Sequence, residues 1–200
     1  MTKLKWGMIG GGEGSQIGPA HRLGSQADGL FSFNAGALDV DAARGKAYAQ
    51  SLGVAPDRAY GDWKEMLAGE RDREDKVDLV TVATPNNTHF EITKAFLEAG
   101  FNVLCEKPMT MTVEEGEEIV RLSKTTGRIC AVNYGYTGYS LVRHMRAMVA
   151  RGDPDMIEID LGIPIPPLPV WLAAHEGLRH TPRVRKVWDV LADALVQIVT

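Results

Sequence analysis

Gly10-Gly11-Gly12-Glu13-Gly14-Ser15-Gln16-Ile17-Gly18 decides the fold because of what stands on either side of it. Residues 4–9 form a short apolar run that suits a buried strand. Residues 19–26 carry a helical pattern. A strand, a glycine loop and a helix in that order place backbone amides and a helix amino terminus where a pyrophosphate binds, with glycines wherever a side chain would bar close approach. Gly10, Gly12, Gly14, Ser15 and Ile17 are accordingly the loop residues expected at a dinucleotide. Counting from Gly10 and Gly12 places Ser15 where G-x-G-x-x-G has its third glycine, so the loop is longer than the standard one.

The alternation continues along the chain. Residues 31–38 are a second apolar run closed by Asp39, and Asp41 caps a helix that extends to Leu52, with Gly53 at its stop. A short helix is expected over 62–67. Residues 77–82 lack polar alternation, as a strand covered on both faces does. A helix over 88–99 ahead of Gly100, a strand over 102–105, a capping box of Thr112 and Glu115 opening a helix to Thr126, and a strand over 129–133 complete the pattern. Strands alternating with helices at this spacing imply right-handed crossovers. The fold expected is α/β, a doubly wound parallel-sheet Rossmann domain over residues 1–135, followed over 136–200 by a linker helix and a short, incomplete extension. Pro164, Pro166, Pro167 and Pro169 mark a change of regime, and beyond them only 188–199 reads as an amphipathic helix.

Composition narrows the function. Of 200 residues, 22 are basic and 26 acidic, a net charge of -4 that supplies no basic face for a phosphate backbone, so no nucleic-acid partner is expected. Cys105 and Cys130 fall in strand-like runs without a C-x-x-C spacing and read as reduced core thiols. No segment approaches the ~20 apolar residues of a membrane span, and a cytoplasmic protein is expected. No metal site is anticipated. Asp39, at the end of the second strand, is placed to accept hydrogen bonds from the adenosine ribose, which favours NAD over NADP; Arg44 nearby weakens that preference. Asp39 beginning a turn is the plainer alternative.

Several pieces together resemble the Gfo/Idh/MocA oxidoreductases: the glycine loop with His21-Arg22, Thr84-Pro85-Asn86-Asn87-Thr88-His89, Glu106-Lys107-Pro108 and Asn133-Tyr134-Gly135-Tyr136. The resemblance runs over about residues 3–152. It implies a nucleotide-binding half followed by a half built on an open sheet, a homo-oligomer, and NAD(P)-dependent oxidation of a CH–OH group in a sugar, cyclitol or derivative. It makes Lys107 the catalytic residue, with Glu106 and Lys107 at the cofactor, and puts Thr84, Asn86 and His89 near the nicotinamide ribose. His89 reads equally as a helix-start residue bonded to backbone. His21 reads as structural, and Tyr136 and Tyr139 as either substrate-facing or packed.

The family's second half carries a D-x-x-x-H motif whose histidine moves the hydroxyl proton. Here His175 and His180 follow Trp171 and Glu176 at that spacing, and Asp189 and Asp193 precede Asp193 and Gln197. A shortened or altered second half is therefore expected, which keeps open a non-catalytic nucleotide-binding or redox-sensing module. A methyltransferase shares the glycine loop and the acid, but gives Glu106-Lys107-Pro108 no role.

Overall fold

A computed structural model of the chain describes residues 2–151 and the strand residues 157–158 and 171–172. The chain divides into two compact units, Met1–Tyr134 and Gly135–Thr200. The first contains five parallel strands, β1 (Leu4–Gly10), β2 (Phe31–Ala37), β3 (Leu79–Ala83), β4 (Asn102–Glu106) and β5 (Cys130–Asn133), ordered β2-β1-β3-β4-β5. Helices α1 (Ile17–Ala27), α2 (Ala42–Ser51), α3 (Trp63–Arg71), α4 (His89–Glu98) and α5 (Val113–Thr126) connect them. The expected doubly wound sheet is present.

Strand order reverses between β1 and β3, the switch point at which such sheets open a crevice beyond their carboxyl ends. Register brings those ends level. Ile9 pairs with Ala37, Gly10 with Ala83, Val82 with Cys105 and Glu106 with Asn133.

The sheet is apolar on both faces. Ile9, Ala35, Ala37, Val80, Val82, Val103 and Cys105 join Phe96 and Phe101 in one cluster; Trp6 and Met8 join Leu38 and Ala49 in the other. The β1–β2 register shifts between Trp6 and Gly7, so Trp6 pairs with Phe33 while Gly7 pairs with Ala35. That extra residue in β2 turns the strand over: Phe33 packs on Trp6 at 4.8 Å between ring centroids, and Ala35 reaches the opposite cluster.

Local signals set most helix ends. Asp41 accepts from the Arg44 amide, Asp62 from the Glu65 amide, and Thr112 and Glu115 form the expected capping box. Gly53, Gly100 and Gly127 follow α2, α4 and α5 with φ of 88°, 83° and 65°.

Three elements differ from expectation. Helix α1 starts at Ile17, because Pro19 fits within a first turn that needs no amide from it. Helix α3 extends to Arg71, and β3 starts only at Leu79. Both follow from Glu70, which is 0% exposed: its carboxylate pairs with the Arg58 guanidinium, accepts the Tyr60 hydroxyl at 2.9 Å and takes the Val77 amide at 3.1 Å, drawing Val77 out of the ladder. Burial first, and then Glu70, push the Tyr60 hydroxyl pKa upward.

In the second unit, a turn over Gly135–Gly138 leads to helix α6 (Ser140–Ala150), and Tyr136 packs edge-on against Tyr139 at 5.4 Å. Strands β6 (Ile157–Glu158) and β7 (Trp171–Leu172) pair antiparallel. The proline cluster, His175, His180, Asp189, Asp193 and the helix expected over 188–199 lie outside the described residues. Among the described residues no helix is long and apolar enough to cross a membrane.

Glu70→Ala leaves the Arg58 guanidinium buried with its main partner gone, and a loss of about 3–5 kcal/mol is expected from urea unfolding monitored by circular dichroism. A loss below about 1 kcal/mol would show that water reaches Arg58.

Candidate functional site

The glycine loop is built from three close approaches. A β-carbon at Gly10 would lie 2.4 Å from the Ala83 carbonyl oxygen, one at Gly12 2.4 Å from that of Leu38, and one at Gly18 2.0 Å from that of Gly11. Gly10, Gly11 and Gly14 also adopt left-handed φ of 76°, 65° and 77°. Gly18 thus does what the third glycine of the standard loop does, letting the helix sit against the strand, six positions after Gly12. Sequence reading missed it because the template places that glycine three positions on. Ser15 closes the insertion: its amide donates to the Gly12 carbonyl at 3.1 Å, and its hydroxyl accepts the Gly18 amide at 3.1 Å.

A cavity of about 350 Å³ opens beside the loop, lined by Gly10, Gly11, Ser15, Asp39 and Thr84 together with Asp62 and Trp63. Trp63 was not legible from the sequence, because α3 reaches this edge only through tertiary packing. Gly14 stands at the loop tip with no atom within 4 Å of a β-carbon there, and Ile17 is 37% exposed at the helix start.

Asp39 ends β2 beside the cavity, but its carboxylate is already engaged. The Arg44 Nε and Nη2 donate to it at 2.7 and 2.6 Å, and the Asp41 amide adds 2.9 Å. The Arg44 bonds chiefly hold its pKa down at about 2. An acid and a guanidinium therefore share the place expected for the ribose.

Thr84 and Asn86 stand after β3, Asn86 exposed in a 3-10 turn over Asn86–Thr88. The Thr88 hydroxyl donates to the Pro85 carbonyl at 2.7 Å. Of the two readings of His89, the one bonded to backbone is what the structure shows. It is 0% exposed, and its Nδ1 and Nε2 lie 2.7 and 2.8 Å from the carbonyl oxygens of Pro108 and Thr84. The ring braces two loops and has no polar atom left for a ligand.

Glu106 turns inward as well. Its Oε1 meets His21 Nε2 at 2.8 Å and accepts the Asn133 amide, while Oε2 accepts the Lys107 backbone amide at 3.2 Å. Burial raises the Glu106 pKa, but the donors Asn133, His21 and Lys107 outweigh it and hold the carboxyl below its ordinary value. Glu106 is thus turned inward as a support for its neighbour, with both carboxylate oxygens accepting from protein donors. Lys107 itself is exposed after β4, one strand beyond Thr84, and its bond to Pro108 is cis.

Residues 4–134 match the model of an oxidoreductase family with an NAD-binding Rossmann fold, Gfo/Idh/MocA. The chain belongs to this family. It is 47% identical over 150 residues to the Bacillus subtilis oxidoreductase YfiI, covering 74% of this chain and 38% of that one. It is 32% identical over 151 residues to 1,5-anhydro-D-fructose reductase of Ensifer adhaerens, covering 74% and 41%. Among solved structures it resembles an inositol dehydrogenase homologue of Azotobacter vinelandii, complexed with NADH and myo-inositol, at a TM-score of 0.75 and 43% identity over 78% of this chain and 41% of that one. The chain spans about two fifths of the length of these relatives.

Neither thiol is in a disulfide, and burial pushes Cys105 and Cys130 up to about 11. Among the described residues no cluster of His, Cys, Asp and Glu is arranged to hold a metal ion.

The inward carboxylate makes stability at acid pH a readout. Because the folded Glu106 carboxyl titrates below its ordinary value of 4.5, its contribution is complete above that value and is lost as pH falls through the lower folded one. Glu106→Gln cannot accept both donors on one charged oxygen. It is expected to cost about 2 kcal/mol at pH 7 and less at a pH below the folded value, where wild type has also lost the charge. An equal cost at both pH values, measured by denaturant titration, would remove this account.

Proposed function

We propose that this chain is the cofactor-binding part of an NAD(P)-dependent dehydrogenase acting on a CH–OH group of a sugar, cyclitol or derivative. The observation that carries the reading is convergence: the glycine loop, Asp39, Thr84 and Lys107 all follow the carboxyl ends of adjacent strands, on the side where open parallel sheets take ligands. The residues fit a dinucleotide, because the loop is bare of side chains where Gly10, Gly12 and Gly18 approach backbone and a cavity adjoins it. Gly10, Gly12, Gly14, Ser15 and Ile17 would hold the pyrophosphate side, Asp39 the adenosine ribose, and Thr84 and Asn86 the nicotinamide side.

The bound nicotinamide supplies the hydride acceptor. Lys107 would be the catalytic residue: its ammonium can donate a hydrogen bond to the substrate oxygen and offset negative charge there. Glu106 and His89 act as positioning residues, fixing the backbone on either side of Lys107. The second unit begins the half that meets substrate. The names of the relatives, a reductase of 1,5-anhydro-D-fructose and a protein complexed with myo-inositol, support a polyol or sugar.

A second reading is a nucleotide-binding module without turnover. Thermal-shift titration separates the readings in steps. NADH is expected to raise the melting temperature of the purified chain, and Lys107→Ala to keep that rise while removing any polyol-dependent reduction of NAD+. A rise in wild type without hydride transfer across a polyol panel selects the second reading; no rise with NADH or NADPH removes both.

Cofactor choice rests on the Asp39–Arg44 pair. With the acid present, NAD(H) is the preferred form. Asp39→Ala frees Arg44 for a 2'-phosphate, so the ratio of NADPH to NADH affinity is expected to rise about tenfold, measured by fluorescence titration. An unchanged ratio would show that Asp39 lies away from the ribose.

A further inference from the structure

Arg22 has no role in the reading so far, yet it is placed directly beneath the glycine loop. It sits on α1 four residues after Gly18, on the same helix face, and is 8% exposed. Its Nη1 donates to the Gly11 carbonyl at 2.8 Å and its Nη2 to the Tyr48 hydroxyl at 3.1 Å, with the guanidinium 5.5 Å from the Tyr48 ring centroid. These side-chain partners are all uncharged. Among the described residues the other buried arginine, Arg58, is matched by the Glu70 carboxylate.

A guanidinium buried among neutral groups is costly unless an anion completes it. The Gly11 contact also sets a direction. The Gly11–Gly12 peptide is trans, so its N–H points opposite to its C=O. Anchoring the Gly11 oxygen on Arg22 therefore turns the Gly12 amide away from α1. One side chain thus orients a loop donor and brings a fixed positive charge under the same loop.

We propose that Arg22 is the buried counter-charge for the pyrophosphate of the cofactor, acting through the Gly11–Gly12 peptide as a positioning residue. The proposal rests on the dinucleotide reading above. The diphosphate supplies the negative charge that the folded protein lacks at this point, so ligand and guanidinium each offset the other's desolvation. Arg22 favours binding at the expense of the ligand-free fold.

A purely structural arginine and a counter-charge behave oppositely, and the full chain tests them. Wild type, Arg22→Met and Arg22→Lys are titrated with NADH, ADP and adenosine by calorimetry or ligand-observed NMR, and melted with and without NADH. Arg22→Met is expected to weaken NADH and ADP about tenfold or more while leaving adenosine within about twofold. Its ligand-free melting temperature is expected to hold or rise, and its NADH-induced rise to shrink. Arg22→Lys, which keeps the charge, is expected to restore most of the NADH affinity.

Equal weakening of adenosine and NADH in Arg22→Met would overturn the proposal, since it would mean a collapsed loop. So would unchanged NADH affinity with a lowered ligand-free melting temperature, the mark of a packing role. Failure of wild type to bind NADH would end the dinucleotide reading itself, which is distinct from wild type binding normally and Arg22→Met binding alike.

Discussion

Helix α1 rests on the glycine loop at a separation that only a hydrogen at position 18 permits. A β-carbon there would lie 2.0 Å from the Gly11 carbonyl oxygen, and that atom is backbone with no rotamer to give way. The distance between α1 and β1 follows from this contact, and with it the reach of every side chain on that face of the helix. Arg22 meets the Gly11 carbonyl and His21 meets Glu106 at the end of β4 because the helix lies this close. One missing methyl therefore links the loop after β1 to the turn after β4. Three residues are inserted ahead of Gly18 relative to the standard loop, and Ser15 compensates by bonding both ends of the insertion.

The sheet converts these contacts into a site. Parallel strands bring all their carboxyl ends to one edge, and the β1–β3 switch point parts the helices there. The two faces must both be apolar for helices to cover them, which β3 provides by alternation, Val80 and Val82 on one face and Leu79 and Ala83 on the other. Strand β2 provides it differently: its extra residue lets the bulky Phe33 serve one face and the small Ala35 and Ala37 the other, where α3 brings Met66. Gly7 belongs to the same arrangement, because a β-carbon there would stand 2.5 Å from the Met66 terminal methyl.

Legibility in the sequence followed the range of the interaction. Caps by Asp41, Asp62 and Thr112 and stops at Gly53, Gly100 and Gly127 act within one helical turn, so their residues announce them. The parallel, doubly wound sheet followed from alternation and handedness. Contacts between residues distant in sequence were silent. Nothing local in Glu70 says that it will take Arg58, Tyr60 and Val77 and so delay β3. His89 looks the same whether it meets a ligand or two carbonyls, and its partners at Thr84 and Pro108 become evident only when the turns after β3 and β4 lie side by side. The β2 bulge was hidden for a related reason, since an added residue matters only against the register of a neighbour.

These long-range contacts share a logic around Lys107. The turn that carries it is held from one side by Glu106, itself bonded to His21 and Asn133, and from the other by His89 through the Pro108 carbonyl. Its ammonium, by contrast, is left exposed at the sheet edge. A backbone fixed at both ends concentrates the conformational cost of ordering this turn in folding. His21 adds a consequence, because it leaves α1 on the helical turn that also carries Gly18 and Arg22. Any shift of α1 on the glycine loop is therefore transmitted to Glu106 and the Lys107 amide. Through Gly18, Arg22 and His21 the glycine loop and the turn that carries Lys107 are tied to the same helix.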